Sequence, residues 1–285
     1  MKKLTIKSNA KINLSLEIIN KRDDGYHNIN TIFAPISLYD DITIEENSTG
    51  LKYEIYPKNE FPIYKNLLYR GAKLFFENYK PKNTNLTITL NKRIPIGAGL
   101  GGGSSNAAFI INALNDYYET NVPKADLMAL GRQLGADVPF FINHSCAIGK
   151  GIGDDLEYID VKIPYKVLIV HPNVFVSTSW AYQALNLLTK NEANDLKELL
   201  MKSITDKQIF SQYFRNDFEK LVFNKYPEIN FVKKRMYEQG AFFSMMTGSG
   251  STVFGLFDNV QDFEKAYEYF FSYFEDYSTF KCEFL

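Results

Sequence analysis

The chain has 285 residues, with 32 Lys and Arg against 33 Asp and Glu, and 45% of its residues are hydrophobic. This composition is typical of a globular protein with a substantial core, and the length predicts one large domain or two modest ones. The balanced charge excludes a protein whose main task is to hold a nucleic acid, because such affinity comes from neutralising many phosphates at once. Single nucleotides stay open as ligands.

The targeting and redox signals indicate a cytoplasmic protein. Two cysteines, Cys146 and Cys282, are too few for a disulfide framework, and the three histidines have no metal-binding spacing. Lys7 and Lys11 interrupt the apolar segment that a signal peptide would need. The longest uncharged run, residues 94–115, contains five glycines and is interpreted as a loop that leads into a helix. We therefore expect no membrane partner.

The first half of the chain predicts strands, a helix and another strand. The first predicted strand has a period of two. Its apolar residues are Ala10, Ile12, Leu14, Leu16 and Ile18, and they alternate with the polar residues Lys11, Asn13, Ser15 and Glu17. One face should pack and the other should be polar. Strands are also predicted over residues 29–38, 41–45, 51–56 and 86–90, and helical spacing predicts a helix over residues 67–75.

From residue 107 onward, the sequence predicts mainly helices with two strands. Helices are predicted over residues 107–118 and from Pro123, in the first helical position, to Gly135. A turn-like charged segment at residues 150–160 indicates a boundary, which gives domains 1–158 and 159–285. Further predicted elements are a strand at 167–170, helices between 180 and 239, a strand at 251–257 and an aromatic helix from Gln261.

A glycine-rich segment between a strand and a helix is the most informative part of the sequence. Residues 95–108 contain five glycines within seven positions. Glycine lets backbone N–H groups converge on an anion, and the N-terminus of the following helix adds a favourable dipole. The segment therefore predicts a phosphate site. A glycine-rich turn without a ligand is the alternative.

Two common phosphate motifs do not fit this segment. A P-loop would need lysine where the chain has Gly103. Gly97, Gly99 and Gly102 match the dinucleotide fingerprint G-x-G-x-x-G, but two predicted helices follow where that fold needs a second strand. A phosphate loop of another kind remains.

The segment from Pro95 to Ala108 resembles the ATP-binding motif of the GHMP small-molecule kinases. Residues 247–251, Thr-Gly-Ser-Gly-Ser, resemble the third motif of that family, and residues 10–14, 24–27 and 135–141 extend the resemblance from about residue 5 to about residue 257. The resemblance implies a two-domain α+β fold. Its N-terminal domain is expected to be like domain 2 of ribosomal protein S5, and its C-terminal domain is expected to be ferredoxin-like.

The resemblance also implies an ATP site with Mg²⁺. Its contacts are expected from the glycine-rich loop and the third motif, through Pro95, Ile96, Gly97, Ala98, Gly99, Leu100, Gly101, Gly102, Gly103, Ser104, Ser105, Gly248 and Ser249. Ser105 is expected near the metal. The alternative for Ser105 is a plain helix N-cap.

Two charged side chains are implied to be catalytic. Lys11 and Asn13 share one side of the first predicted strand, about 7 Å apart. The resemblance makes Lys11 a charge-stabilising residue, whereas a solvated lysine is the alternative. Asp137 lies beside an apolar run, where a carboxylate is costly unless it is paired. The resemblance makes it the base for the substrate hydroxyl and Lys11 its partner, whereas a helix-terminal or turn aspartate is the alternative.

The substrate implied by the resemblance carries cytidine. Tyr26 and His27 are expected to hold the cytosine ring, with Tyr182 as a second stacking ring, and Asn13 and Thr178 are further expected contacts. A surface histidine is the alternative for His27. The implied reaction is transfer of a phosphoryl group from ATP to the 2-hydroxyl of a CDP-linked methylerythritol, in the non-mevalonate route to isoprenoid precursors.

Two other functions stay open from the sequence. Another GHMP kinase, such as a homoserine or mevalonate kinase, would share the loop and the third motif but has no reason to contain residues 24–27 together with residues 11–13 as they stand. A catalytically idle nucleotide-binding module is opposed by the presence of Lys11 and Asp137. We expect a monomer or a weak homodimer.

Overall fold

The computed structural model describes residues 3–58, 62–185 and 192–285. The chain forms two compact units, and each is discontinuous in sequence. Unit 1 comprises Met1–Ala10, Leu38–Ile96 and Gly101–His144, and unit 2 comprises Lys11–Ser37, Gly97–Leu100 and Ser145–Leu285. The predicted boundary between residues 158 and 159 falls inside unit 2 and stays a prediction.

Two long strands, β1 (Lys3–Lys21) and β2 (His27–Glu46), contribute residues to both units. The alternation over residues 10–18 correctly predicts β1. Its polar side chains are buried along with its apolar ones, because Lys11, Asn13, Ser15 and Glu17 are all at most 4% exposed. The polar face of this strand is therefore an interior face.

Unit 1 contains helices beside a short sheet. The later part of β2 pairs antiparallel with β4 (Leu86–Asn91), and β4 pairs in parallel with β3 (Lys52–Tyr56). After a 3-10 turn at Ile63–Lys65, the helices are α1 (Leu67–Tyr79), α2 (Gly102–Tyr117), α3 (Lys124–Arg132) and α4 (Val138–Asn143). Helices α1 and α2 approach closely at Gly71, where a Cβ would stand 3.0 Å from the carbonyl oxygen of Ala107.

A buried carboxylate in unit 1 fixes the end of β4 and the start of α2. Asp40 is fully buried, and one of its oxygens accepts hydrogen bonds from the backbone N–H groups of Arg93 (2.7 Å) and Ile94 (2.9 Å). Its other oxygen accepts from Lys92 Nζ at 2.5 Å and Asn106 Nδ2 at 2.9 Å. Because every acceptor direction is used, the buried charge is tolerated.

Unit 2 contains a short β-meander and a larger antiparallel sheet. The early part of β2 pairs with β5 (Ala147–Lys150), which pairs with β6 (Asp155–Tyr158). The larger sheet is built from β7 (Lys166–His171), β8 (Phe243–Met246), β9 (Val253–Phe257) and β10 (Ser278–Glu283), in the order β10-β7-β9-β8. The helices are α5 (Thr178–Ala184), α6 (Leu196–Ser203), α7 (Gln208–Tyr213), α8 (Glu219–Lys225), α9 (Pro227–Glu238) and α10 (Val260–Tyr273).

The predicted α+β class is confirmed, and the structure corrects several element predictions. Segment 150–160 is not only turn, since it contains β6, and Pro123 is the N-cap of α3 and not its first helical residue. The sequence patterns do not predict four short elements, namely strands β5, β8 and β10 and helix α4. Each has only four to six residues, and in three of the four the apolar and polar residues do not clearly alternate. Residues 186–191 of the predicted helical region lie outside the described residues. In the described ranges, no helix is both long and apolar enough to cross a bilayer.

Candidate active site

The amino group of Lys11 is held inside unit 2 by its neighbour on the same strand face. Lys11 is 4% exposed, and its Nζ donates a hydrogen bond to Asn13 Oδ1 at 2.6 Å. The same nitrogen lies 5.2 Å from the centroid of the Phe33 ring, which adds a cation–π contact. Interpreting Lys11 as a solvated lysine is therefore wrong, because a buried ammonium needs these partners.

The third motif forms the turn between β8 and β9, and Asn13 is bonded to it. The backbone N–H of Asn13 donates to Thr247 Oγ1 at 2.9 Å. Asn216 holds the turn from the other side, since its Nδ2 donates to the carbonyl oxygens of Met246 (2.7 Å) and Gly248 (2.8 Å). The turn is thus fixed to β1 by backbone and side-chain hydrogen bonds within unit 2.

The first part of the glycine-rich loop contacts the same turn. Thr247 Oγ1 lies 3.4 Å from the carbonyl oxygen of Gly99, and the Lys11 N–H donates to the carbonyl oxygen of Leu100 at 3.0 Å. Gly99 has φ of +77°, and a Cβ at this position would collide with the carbonyl oxygen of Thr247. The side chains of Ala98 and Leu100 are both buried, so they anchor this part of the loop, whereas Gly97 is exposed.

The later part of the loop begins α2. Gly101 is the N-cap with φ of +69°, and Gly102 and Gly103 form the first helical turn. A 16-residue helix presents unpaired N–H groups and the positive end of its dipole at this terminus, which suits an anion. Ser104 is half-buried and Ile96, before the loop, is 69% exposed.

Ser105 lies inside the first turns of α2 and is fully buried. Interpreting it as the N-cap is wrong, since Gly101 occupies that position. Its hydroxyl donates to the carbonyl oxygen of Asn9 at 2.6 Å and lies 2.7 Å from Ser8 Oγ. One lone pair of the Ser105 oxygen is left by these two contacts. Its predicted metal contact stays a prediction.

Asp137 is the N-cap of α4, half-buried in unit 1. Its side chain makes no capping hydrogen bond to that helix, and Pro139 in the first turn has no N–H to offer. The residue is helix-terminal, as the alternative interpretation expects, but its carboxylate does not serve as the cap. Its catalytic role and its pairing with Lys11 stay predictions.

The residues that are predicted to bind cytidine differ in how exposed they are and in which side chains they contact. His27 is 6% exposed, so interpreting it as a surface histidine is wrong, and its ring centroid lies 5.2 Å from that of Tyr182. Tyr182 also packs edge-on against Phe218, at 4.9 Å and 85°. Burial lowers the pKa of His27, and the nearby Lys21 charge adds to this effect, so both favour the neutral imidazole. Tyr26, by contrast, is 62% exposed.

The structure joins one residue predicted to bind substrate to one predicted to bind ATP. Thr178 Oγ1 and Ser249 Oγ are 2.8 Å apart, so α5 and the third motif share a hydrogen bond. Sequence reasoning missed Thr31, Phe33 and Thr247 as parts of the site. Thr247 belongs to the third motif, and its position next to Gly248 could have indicated a role. Thr31 and Phe33 carry no such signal, since both are ordinary residues of a predicted strand.

Family models match most of both halves of the chain. The model of the GHMP kinases N terminal domain matches residues 66–145, and that of the GHMP kinases C terminal domain matches residues 188–276. Together with the fold and the two glycine-rich turns, these matches define the class of the protein as a GHMP kinase. The predicted kinase class is confirmed.

Proteins of similar sequence identify a particular family within this class. The chain is 40% identical over 277 residues to the 4-diphosphocytidyl-2-C-methyl-D-erythritol kinase of Chlorobium phaeobacteroides, covering 96% of each chain. It is 40% identical to that of Acetivibrio thermocellus, covering 94% of this chain and 95% of the relative. The chain therefore belongs to the family of 4-diphosphocytidyl-2-C-methyl-D-erythritol kinases within the GHMP kinases.

Solved structures agree with this assignment. A crystal structure of 4-(cytidine 5'-diphospho)-2C-methyl-D-erythritol kinase matches with a TM-score of 0.84 and 32% identity, over 98% of this chain and 99% of that one. A homoserine kinase from Cytophaga hutchinsonii matches with a TM-score of 0.70 over 100% of this chain and 98% of that one. At 15% identity, the second match shows the shared fold alone.

Gly99→Ala tests the close contact between the glycine-rich loop and the third motif. Gly50 is a matched control, because it has φ of +93° and nothing within 4 Å of a Cβ, whereas a Cβ at Gly99 collides with Thr247. Both substitutions carry the left-handed backbone cost of about 1–2 kcal/mol. We expect Gly99→Ala to lower the thermal unfolding midpoint clearly more than Gly50→Ala. Equal losses would mean that the contact with Thr247 is not tight.

Proposed function

We propose that the chain transfers the γ-phosphoryl group of ATP to the 2-hydroxyl of 4-diphosphocytidyl-2-C-methyl-D-erythritol, giving the 2-phosphate and ADP. The relatives' names supply the substrate. The single observation that carries the chemistry is the bonded series in unit 2 that runs from Lys11 through Asn13 to Thr247, with Gly99 in contact with Thr247. It connects a buried cation to the first part of the predicted phosphate loop.

Phosphoryl transfer needs positioning and charge stabilisation more than covalent catalysis. In the proposed reaction the 2-hydroxyl oxygen forms a bond to the γ-phosphorus, the bond from this phosphorus to the bridging oxygen breaks, and ADP leaves. The hydroxyl proton passes to the carboxylate of Asp137. Lys11 stabilises the negative charge on the transferred group, and its position is set by Asn13 Oδ1.

The ATP phosphates are proposed to bind backbone N–H groups of residues 97–105, with help from Gly248 and Ser249. Three glycines in the loop, Gly97, Gly99 and Gly101, have φ between +69° and +77°. This backbone conformation turns successive N–H groups in ways that other residues rarely allow. Backbone donors hold an anion without adding net charge, which suits a chain of net charge -1.

Mg²⁺ belongs to the proposal, but the residues do not build a metal cage. In the described ranges, no group of three or more His, Cys, Asp or Glu side chains could hold an ion. Magnesium is commonly held by substrate phosphates and few protein ligands, and in kinases it neutralises charge on the phosphates. Ser105 is the proposed protein contact, although its hydroxyl already donates to Asn9.

The cytosine ring is proposed to bind beside His27. A neutral imidazole has one donor nitrogen and one acceptor nitrogen, and either can form a hydrogen bond with the polar edge of a base. Tyr182 lies against His27 and is held by Phe218, so its ring is pre-oriented, whereas Tyr26 has an exposed ring available for stacking. A cytoplasmic location, the absence of a nucleic-acid partner and a monomeric or weakly dimeric state complete the proposal and rest on the sequence alone.

The substrate assignment is tested by measuring ADP release with three acceptors in parallel. We expect turnover with 4-diphosphocytidyl-2-C-methyl-D-erythritol and none above background with homoserine or mevalonate, because only the first carries cytidine. Preference for homoserine or mevalonate would contradict the assignment. ATP binding without turnover of any acceptor would instead indicate an idle nucleotide-binding module.

Asp137→Asn tests the proposed base. The substitution keeps the shape of the side chain and removes the proton acceptor, so turnover should fall by roughly 10² to 10⁴-fold while the fold persists. Asp126→Asn, at an exposed position in the first turn of α3, is the control and should leave turnover unchanged. Circular dichroism checks folding, and near-normal turnover of Asp137→Asn would remove this residue from the mechanism.

Tyr26→Ala tests stacking on cytosine. Because Tyr26 is 62% exposed, its removal should hardly affect stability, while KM for the cytidine substrate should rise about 5- to 150-fold, from a stacking loss of about 1–3 kcal/mol per base. KM for ATP should stay the same. Tyr273→Ala, at a 75% exposed tyrosine of α10, is the matched control. A parallel rise in both KM values would point to a general disturbance and not to cytosine stacking.

A further inference from the structure

Thr31 is a fully buried residue of β2 whose side chain is bonded to β1, through Asn13 and Ser15. Its hydroxyl donates to the carbonyl oxygen of Ser15 at 2.6 Å. Asn13 Nδ2 lies 2.8 Å from the same hydroxyl oxygen. The residue is thus placed between the backbone of β1 and the side chain that holds Lys11.

The geometry at Thr31 permits one direction only for the second hydrogen bond. A hydroxyl has a single proton, and at Thr31 it is directed to Ser15 O. The hydroxyl can therefore only accept from Asn13, so the amide nitrogen of Asn13 must face Thr31. The carbonyl oxygen of Asn13 must then face Lys11, where it accepts from Nζ at 2.6 Å.

Thr247 does not fix the amide in the same way. Its oxygen accepts from the Asn13 backbone N–H, and its proton has two acceptors within reach, Asn13 Oδ1 at 3.3 Å and Gly99 O at 3.4 Å. If the amide turned over, the Thr247 proton could go to Gly99 and its oxygen could still face an amide N–H. Thr247 therefore tolerates both amide orientations, whereas Thr31 tolerates one.

We propose that Thr31 is a positioning residue that fixes the amide of Asn13 and thereby holds the ammonium of Lys11 in place for phosphoryl transfer. The catalytic part of this inference rests on the proposed function. Without the Thr31 hydroxyl, the buried NH₂ group of Asn13 loses its acceptor, and of these partners only Lys11 then opposes a turn of the amide. An amide that shifts or turns in response moves Oδ1 away from Nζ, so Lys11 loses its 2.6 Å acceptor.

The test compares Thr31→Val, which keeps the branched shape and removes the hydroxyl, with Thr31→Ser, which keeps the hydroxyl. We expect kcat to fall about 10- to 100-fold in Thr31→Val, the usual range for a hydrogen bond to a charged group, and to recover to within about threefold of wild type in Thr31→Ser. KM for both substrates should change less than threefold, since Lys11 acts on the transferred group.

A matched control and a double variant separate positioning from packing. Thr279→Val removes a hydroxyl that is buried in β10 and has no hydrogen-bond partner in the described ranges, so kcat should stay at the wild-type value. Thr31→Val should add nothing to Asn13→Ala, because Thr31 acts through Asn13. A full further loss in the double variant, or wild-type kcat in Thr31→Val, would overturn the inference.

A measurement without turnover keeps this inference distinct from the proposed function. In ¹⁵N-labelled wild-type protein, nuclear Overhauser effects should connect the Asn13 side-chain amide protons to the Thr31 methyl group. Effects to the Lys11 side-chain protons in place of Thr31 would overturn the inference even if Thr31→Val failed to fold. If the wild type does not release ADP with the cytidine substrate, the proposed function fails, while this measurement still decides the orientation of Asn13.

Discussion

The burial of the Lys11 ammonium is the constraint on which the rest of the site depends. A cation that is 4% exposed is tolerated only with partners, and Asn13 Oδ1 and the Phe33 ring provide them. Asn13 is buried as well, so its side-chain NH₂ group and its backbone N–H group need acceptors of their own. Thr31 accepts from the first and Thr247 accepts from the second. The hydrogen bonds that start at Lys11 on the polar face of β1 therefore continue through Asn13 to Thr247, which contacts Gly99 of the glycine-rich loop.

The two glycine-rich turns are needed together for the same reason. Gly99 and Thr247 are far apart in sequence but so close in unit 2 that a Cβ on Gly99 would collide with the Thr247 carbonyl oxygen. Gly248 faces Gly99 in return, since a Cβ there would stand 3.2 Å from Gly99 Cα. Glycine is thus required at Gly99 and Gly248 for close approach as well as for backbone freedom. One explanation covers both motifs: the backbones of the two turns are so close that a side chain at Gly99 or at Gly248 would push them apart.

The sequence predicts which residues share a face but not whether the face is buried. The period of two placed Lys11, Asn13, Ser15 and Glu17 together, whereas the polarity of these residues suggested solvent. Only the tertiary partners, such as Thr31 and Phe33, make an interior of that face, and they are ordinary strand residues with no local signature. The same limit explains β8 and β10, whose pairing with β9 and β7 decides their structure. Motif resemblance, by contrast, correctly predicted the α+β fold and the kinase class.

The near-zero net charge is consistent with two nucleotide ligands because the site uses local charge. In the proposed function, one buried ammonium faces the transferred group, and loop N–H groups supply the remaining positive field. A buried cation acts in a medium of low effective dielectric constant, so its field on a nearby phosphate is stronger than that of a solvated lysine. Asn13 Oδ1 helps to keep that ammonium buried, because its hydrogen bond offsets part of the cost of desolvating the charge. In the proposed function, the requirement for catalysis and the requirement for a buried charge therefore coincide at Asn13, where the orientation of a single amide serves both.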